Sequence, residues 1–172
     1  RDTDFRGASV AHGEITPVAG ADAREMPGVH LVVTADDLVA AGVKIGMAGV
    51  TVKNRDGTKG AAPVRPILAQ SRVRHVGEAV VMIVAETMLA AKDAAEVIEL
   101  EIDDLPVYVD LAVGGDVIHP EAPENLAFDW GMGDEAATQA AIAEAAHVVT
   151  TEVFDNRVIV NSMEPRGCYA EI

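Results

Sequence analysis

The sequence is poor in the residues that most often cross-link a fold or bind a base. Its 172 residues include one cysteine (Cys168), one tryptophan, two tyrosines and three phenylalanines. A single thiol cannot close a disulfide within the chain or build a multi-cysteine metal site. With aromatics at 3%, no stacking platform for bases or sugars can be assembled. Val, Ile, Leu, Ala and Met must therefore make the core. Positive charge is also scarce: 13 Lys and Arg face 28 Asp and Glu, a net charge of -15. So acidic a chain is unsuited to holding nucleic acid through phosphates. The longest strand-like apolar run, Ala79–Ala85, is closed by Glu78 and Glu86. It falls far short of the ~20 residues of a membrane span. The opening Arg1-Asp2-Thr3-Asp4-Phe5-Arg6 has no apolar segment behind it, so no signal peptide is visible. These absences point to a cytoplasmic protein with neither nucleic acid nor membrane as partner.

What is present is the balance of a globular protein, 49% hydrophobic and 24% charged. The charge is uneven. Residues 1–102 hold 14 acidic and 11 basic side chains, and residues 103–172 hold 14 acidic and 2 basic. A break near Asp103 suggests a new structural unit there. The acidic half either solubilises the surface or docks a basic partner.

Periodicity predicts an α+β fold. His12–Val18 reads as a strand, 23–26 as a short helix capped by Asp22, and Val29–Thr34 as a buried strand. Thr34 or Asp36 caps a helix near 37–41, closed by Gly42. Gly42–Pro66 contains the turn Asn54-Arg55-Asp56-Gly57 and reads as a long loop, a length that is often functional. Arg72–Val76 alternates as a strand with one wet face. Ala79–Val84 is apolar on both faces and predicts the central strand. Thr87 caps a helix whose stripe is Met88, Ala91, Ala95 and Ile98. The period then falls to two, with Ile98, Leu100 and Ile102 opposite Glu99, Glu101 and Asp103. Gly114–Gly133 reads as a linker, Glu135–Ala146 as a helix, and His147–Phe154 and Arg157–Val160 as extended segments joined at Asp155-Asn156. That last strand pattern runs to Glu171-Ile172 without a turn signal, as in a fragment of a longer protein.

No catalytic apparatus is legible. His12, His30, His75, His119 and His147 are scattered, and none forms the i, i+4 pair of a helical metal site. Cys168 has no adjacent base and reads as a small packed residue. Ser71 and Ser162 lack a nucleophile-elbow setting, and Gly57 and Gly60 open no helix that could cradle a phosphate. Glu99, Glu101, Asp103 and Asp104 read as a solvated strand face. No catalytic, cofactor-binding or metal-ligating residue is assigned.

One combination of segments is specific. Val73-Arg74-His75-Val76-Gly77-Glu78-Ala79-Val80, then Val84-Ala85-Glu86-Thr87, then Glu96, Ile98, Leu105-Pro106, Val109 and Asp110, resembles the a/b hammerhead domain of molybdenum hydroxylase large subunits. These are the xanthine dehydrogenase, aldehyde oxidase and aerobic carbon monoxide dehydrogenase proteins. Ala79 stands where that family usually has Pro. Ala11-His12-Gly13-Glu14-Ile15, Pro27-Gly28-Val29 and Thr34-Ala35-Asp36-Asp37-Leu38 are similar to the family's opening strand and helices. Asn156-Arg157 to Met163-Glu164-Pro165-Arg166-Gly167 resembles the start of its molybdopterin-binding domain.

The resemblance implies a hammerhead domain over 1–112, a linker with a short helix over 113–146, and the truncated start of a molybdopterin-binding domain over 147–172. It implies an N-terminal fragment of an oxidoreductase that hydroxylates a small carbon substrate, or oxidises carbon monoxide, with water as oxygen source. Molybdopterin (molybdenum) belongs to the full-length subunit; none is expected in this fragment, which is expected to be inactive. The implied partners are the small-molecule substrate, FAD-binding and iron-sulfur subunits or domains, and further copies in an oligomer. An unpaired edge at Val148–Val160 offers one route to such pairing. In the family the loop corresponding to Gly42–Pro66 comes near the mouth of the substrate channel, which makes Ala61, Ala62 and Val64 possible channel residues. The alternative reading is a non-catalytic acidic interaction or assembly module.

Overall fold

Seven consecutive apolar residues, Ala79–Ala85, can bury both faces of a strand only if neighbours flank both edges and layers cover the sheet. The computed structural model flanks both edges and buries Val80, Val81, Ile83 and Ala85, while Ala79, Met82 and Val84 are half-buried. It describes residues 1–47, 49–155, 158, 163 and 164. Two compact units divide the chain, Arg1–Gly131 and Met132–Ile172.

In the first unit the strands are β1 (Asp2–Gly7), β2 (Gly13–Ile15), β3 (Val29–Val33), β4 (Gly46–Met47), β5 (Arg65–Pro66), β6 (Arg72–Val73), β7 (Ala79–Ala85) and β8 (Ile102–Asp104). The helices are α1 (Ala21–Glu25), α2 (Ala35–Ala40) and α3 (Met88–Val97). β7 is the middle of a β1-β7-β3 sheet, antiparallel to both neighbours. A second sheet has the order β6-β2-β8, and β4 pairs with β5. Helix α3 packs on β1 and β7 through Ala91, Ala94 and Ala95, whose small side chains allow close approach. With Ala23, Val32, Val73, Val81, Ile83 and Ile98 they form one core, aliphatic throughout.

Local chemistry explains the helix starts. Thr34 and Asp37 make a reciprocal capping box at α2: Asp37 N–H donates to Thr34 Oγ1, and Thr34 N–H donates to Asp37 Oδ2 at 2.8 Å. Thr87 Oγ1 accepts from Ala90 N–H at 3.2 Å and caps α3, as its sequence position predicts. The stripe on α3 is buried at Ala91, Ala95 and Ile98, whereas Met88 at its exposed start is 41% accessible.

Four elements differ from expectation. Asp2–Gly7 is a strand although only Phe5 in it is large and apolar; backbone pairing with β7, from Asp2↔Ala85 to Gly7↔Ala79, organises it rather than side-chain pattern. β3 is an edge strand with Leu31 56% exposed, because helices cover only one face of its sheet. The long loop is folded back on itself, with Gly46↔Pro66, Met47↔Arg65 and the bridge Lys53↔Lys59. The strand expected over His12–Val18 shortens to three residues, with Gly13 paired on both sides. A Cβ at Gly13 would meet Ile102 and lie 2.7 Å from Asp103 O, so only glycine fits that crossing.

The segment 113–131 is irregular but tied. Asn125 donates from Nδ2 to Gly114 O (2.9 Å) and Asp116 O (2.8 Å), and accepts from Ile118 N–H at 3.0 Å. Its left-handed φ of 56° is one that asparagine tolerates.

In the second unit α4 (Glu135–Glu144) is capped by Asp134, whose Oδ1 accepts from Ala137 N–H at 2.9 Å. None of its residues is buried. Residues 147–155 are exposed and carry no ladder among the described residues, since a strand exists only with a paired partner. Asn156, Arg157 and Cys168 lie outside the described residues. No described helix is long and apolar enough to cross a membrane.

Candidate functional site

The loop from Gly42 to Pro66 owes its shape to its tip and to one neighbouring segment. At the tip, Asp56 Oδ1 accepts from Thr58 N–H (2.8 Å) and Oγ1–H (2.7 Å), and Gly57 takes φ 90°. Those two bonds hold the Asp56 carboxyl below the usual carboxylate range. Residues 127–129 run alongside. Arg55 donates to both carboxylate oxygens of Asp129 at 3.0 Å, Arg55 N–H to Asp129 O at 2.8 Å, and Ala61 N–H to Ala127 O at 2.7 Å. Gly60 sits at the crossing, where a Cβ would lie 2.8 Å from both Ala127 O and Phe128 Cβ.

Ala61 and Ala62 are half-buried in this tethered stretch, and Val64 is 50% exposed. The chain then returns through β5, and its root forms one wall of a cleft of about 180 Å³. Ile45, Pro63, Val64 and Pro66 make that wall; Ala61 and Ala62 are not part of it. The same cleft is lined by the polar Gln70, Ser71, Arg72, Arg74, His119 and Glu121. The structure thus brings one of the three expected loop residues to a polar cleft and leaves two beside it.

The polar wall is built on the β6-β2-β8 sheet. Gly13 pairs with Val73 on one side and Asp104 on the other, which puts His12 in line with Arg74 and Leu105. Leu105 N–H donates to His12 O at 3.0 Å and marks the same register. Arg72 is engaged by Glu14 at 2.6 Å. Arg74 donates from Nε to Ile118 O at 3.2 Å, and no carboxylate pairs with it among the described residues. Its backbone N–H is held by the buried Glu78, Oε2 at 2.6 Å. Burial pushes the His119 imidazole pKa down and the Arg74 guanidinium pushes it further; Glu121 and Glu78 oppose this in part, and His12 adds to it. His119 is therefore neutral at pH 7. His12 is 4% exposed and donates from Nδ1 to Pro106 O at 2.6 Å, while its Nε2 has no partner.

Nothing in the sequence marks Arg74 and His119 as a pair: they are 45 positions apart and share no motif. The only local signal is the alternation Arg72-Val73-Arg74, which puts both arginines on one face. Arg74 and Glu121 put both signs of charge on the cleft, and no nucleophile–base hydrogen bond is formed in it among the described residues. The second unit carries a larger, mainly apolar groove of about 690 Å³ between α4 and 145–149. Among the described residues no group of three or more His, Cys, Asp or Glu could hold a metal ion. Gly131 and Gly133 lead into the Asp134 cap of α4, and no glycine lies within the three residues before α3.

Comparison with known proteins covers almost the whole chain. Residues 3–106 match the family described as aldehyde oxidase and xanthine dehydrogenase, a/b hammerhead domain, and residues 118–172 match the molybdopterin cofactor-binding domain. The large subunit of nicotine 6-hydroxylase from Paenarthrobacter nicotinovorans is 37% identical over 97% of this chain and 20% of its own length. The carbon monoxide dehydrogenase large chain from Hydrogenophaga pseudoflava is 32% identical over 97% of this chain and 21% of its own. A solved structure of reconstituted CO dehydrogenase from Oligotropha carboxidovorans superposes with a TM-score of 0.64 and 28% identity, covering 84% of this chain and 19% of that one. The chain therefore spans about a fifth of the length of the relatives it matches.

Proposed function

The chain belongs to the aldehyde oxidase and xanthine dehydrogenase family, and from that premise we propose that it is the N-terminal part of the large subunit of a molybdenum hydroxylase. The observation that carries this reading is the order of the two matches, hammerhead over 3–106 and cofactor-binding domain over 118–172, on one short chain. In the whole subunit a molybdopterin cofactor supplies the redox centre. The net reaction replaces a substrate C–H bond by C–OH, with the oxygen taken from water and two electrons and two protons released; the carbon monoxide variant adds water oxygen to CO with the same electron count. The electrons pass to iron-sulfur and FAD-binding partners in a cytoplasmic oligomer.

Within this chain the division is a hammerhead domain over 1–112, a linker with one helix over 113–146, and the opening of the cofactor-binding domain over 147–172. Its part in the reaction is to shape access. The loop carrying Ala61, Ala62 and Val64 stands at the mouth of the substrate channel. Support comes from its anchoring: the Arg55–Asp129 and Ala61–Ala127 bonds make it a wall rather than a loose connection. In the full enzyme, replacing Ala61 and Ala62 by Phe raises KM or changes substrate preference and leaves molybdenum content unchanged. Identical kinetics across several substrates would remove the loop from the channel. A full-length protein that binds no molybdenum and oxidises no carbon substrate would instead favour the acidic assembly module.

A further inference from the structure

Arg74 is the unusual cation of this molecule. In a chain of net charge -15, its guanidinium lines an open cleft and no carboxylate answers it among the described residues. Arg72, two residues earlier on the same sheet face, is already engaged by Glu14. An arginine unpaired in such surroundings offers a planar pair of N–H donors to an incoming anion. His119 lines the same cleft, and the buried His12, in line with Arg74, has an Nε2 without a hydrogen-bond partner among the described residues. Ile45, Pro63, Val64 and Pro66 supply the apolar part of the same lining.

We propose that this cleft is a binding site for a small carboxylate with an apolar body, its head on Arg74 and His119 and its body against Ile45, Pro63, Val64 and Pro66. A single guanidinium edge matches the two oxygens of a carboxylate. A dianionic phosphate would need more positive charge than Arg74 supplies, and Glu121 on the same lining repels a second negative charge. The space, about 180 Å³, suits one ring or a short branched chain; a cavity of about 150 Å³ is enough to hold benzene. A free small molecule rather than a peptide side chain is the intended occupant, because the apolar wall would be wasted on an Asp or Glu stem. The site does not depend on the molybdenum chemistry proposed above.

Binding is coupled to protons. The charged groups that face His119 are Arg74, Glu121, Glu78 and His12. A carboxylate seated between Arg74 and His119 cancels part of the Arg74 field and favours the imidazolium. His119, held below the usual imidazole range in the free protein, then takes up a proton on binding, so affinity rises as pH falls towards that range.

The test is a titration of the chain with benzoate, followed by amide NMR and by calorimetry in two buffers of different ionisation heat. Benzamide serves as the neutral isostere and N-acetyl-aspartate amide as the peptide-like carboxylate. The expected result is saturable benzoate binding with shifts at Ile45, Val64, Arg74 and His119. Benzamide binds at least about tenfold more weakly, the aspartate derivative binds more weakly than benzoate, and the buffers reveal net proton uptake. Arg74→Lys weakens benzoate while keeping the charge; His119→Gln keeps binding but abolishes the proton uptake. Equal binding of benzoate and benzamide, an Arg74→Lys variant with unchanged affinity, proton uptake that survives His119→Gln, or no saturable binding of benzoate would each overturn the proposal. Tighter binding of the aspartate derivative would assign the site to a peptide carboxylate and reject the small-molecule occupant.

Discussion

Gly60 shows how one atom can set a local structure. Its missing Cβ lets Ala127 O, Phe128 Cβ and Val52 O close to within 3.0 Å. Two of these are backbone atoms that cannot swing aside, so Gly60→Ala must push residues 127–128 or Val52 away at a cost of about 1–3 kcal/mol. The bond from Ala61 N–H to Ala127 O should then open. Faster amide hydrogen exchange at Ala61, with little change at Val81 or Ile83 in the core, is the expected outcome. Unchanged protection at Ala61 would mean that the crossing has room to spare. Asn125 does the same for the neighbouring irregular segment, one side chain holding three backbone groups of 114–118.

Helix α2 is short, six residues, and depends on its start. The Thr34–Asp37 box satisfies two orphan N–H groups, and its hydrogen bonds, led by the Thr34 backbone N–H, hold the Asp37 carboxyl below its ordinary range. A depressed carboxylate stabilises the fold above its unfolded pKa and loses that contribution as pH falls through the folded pKa. The window therefore lies below about pH 4. Asp37 is largely exposed, so solvent screening keeps the increment small. Thr34→Ala should cost about 1 kcal/mol at pH 7. It should also flatten the acid limb of a stability–pH curve, because Asp37 then titrates closer to its unfolded value. Parallel curves for the two proteins across pH 2–5 would show that the box does not set the carboxyl.

At the scale of the whole molecule the chemistry and the scaffold are separable. Among the described residues no three or more His, Cys, Asp or Glu are grouped so as to hold a metal ion. The 172-residue chain, expressed alone in cells that make molybdenum cofactor, should fold and carry no stoichiometric molybdenum. Elemental analysis of the purified protein checks this, and one metal per chain would mean that the ligand set includes residues of this segment. The charge distribution belongs to the same scale. The acidic excess lies beyond Asp103, the stretch in which Val148, Val149, Val153 and Phe154 are also exposed.

Local interactions made the central strand, the Thr87 cap, the alanine stripe of α3 and the Asn54–Gly57 turn readable in advance. Each is decided by residues within about four positions of one another. Family membership was readable for a related reason, since the Val73–Val80 and Glu96–Asp110 segments carry their pattern in contiguous stretches. The strand at Asp2–Gly7 was not readable, because its order comes from β7, some eighty residues away, and not from its own side chains. The exposed face of β3 depends on which layers the fold supplies, and the folding back of the loop on what lies beside it. The cleft is the clearest case. Arg74 reads as one wet residue of a strand and His119 as one scattered histidine. Only the pairing of β2 between β6 and β8, and the Ile118 carbonyl that anchors Arg74, set them in one cleft with His12 in line with Arg74. Hydrogen bonds and burial between residues distant in sequence obey no local period, so much of the scaffold was legible in the chain and the cleft was decided by tertiary structure.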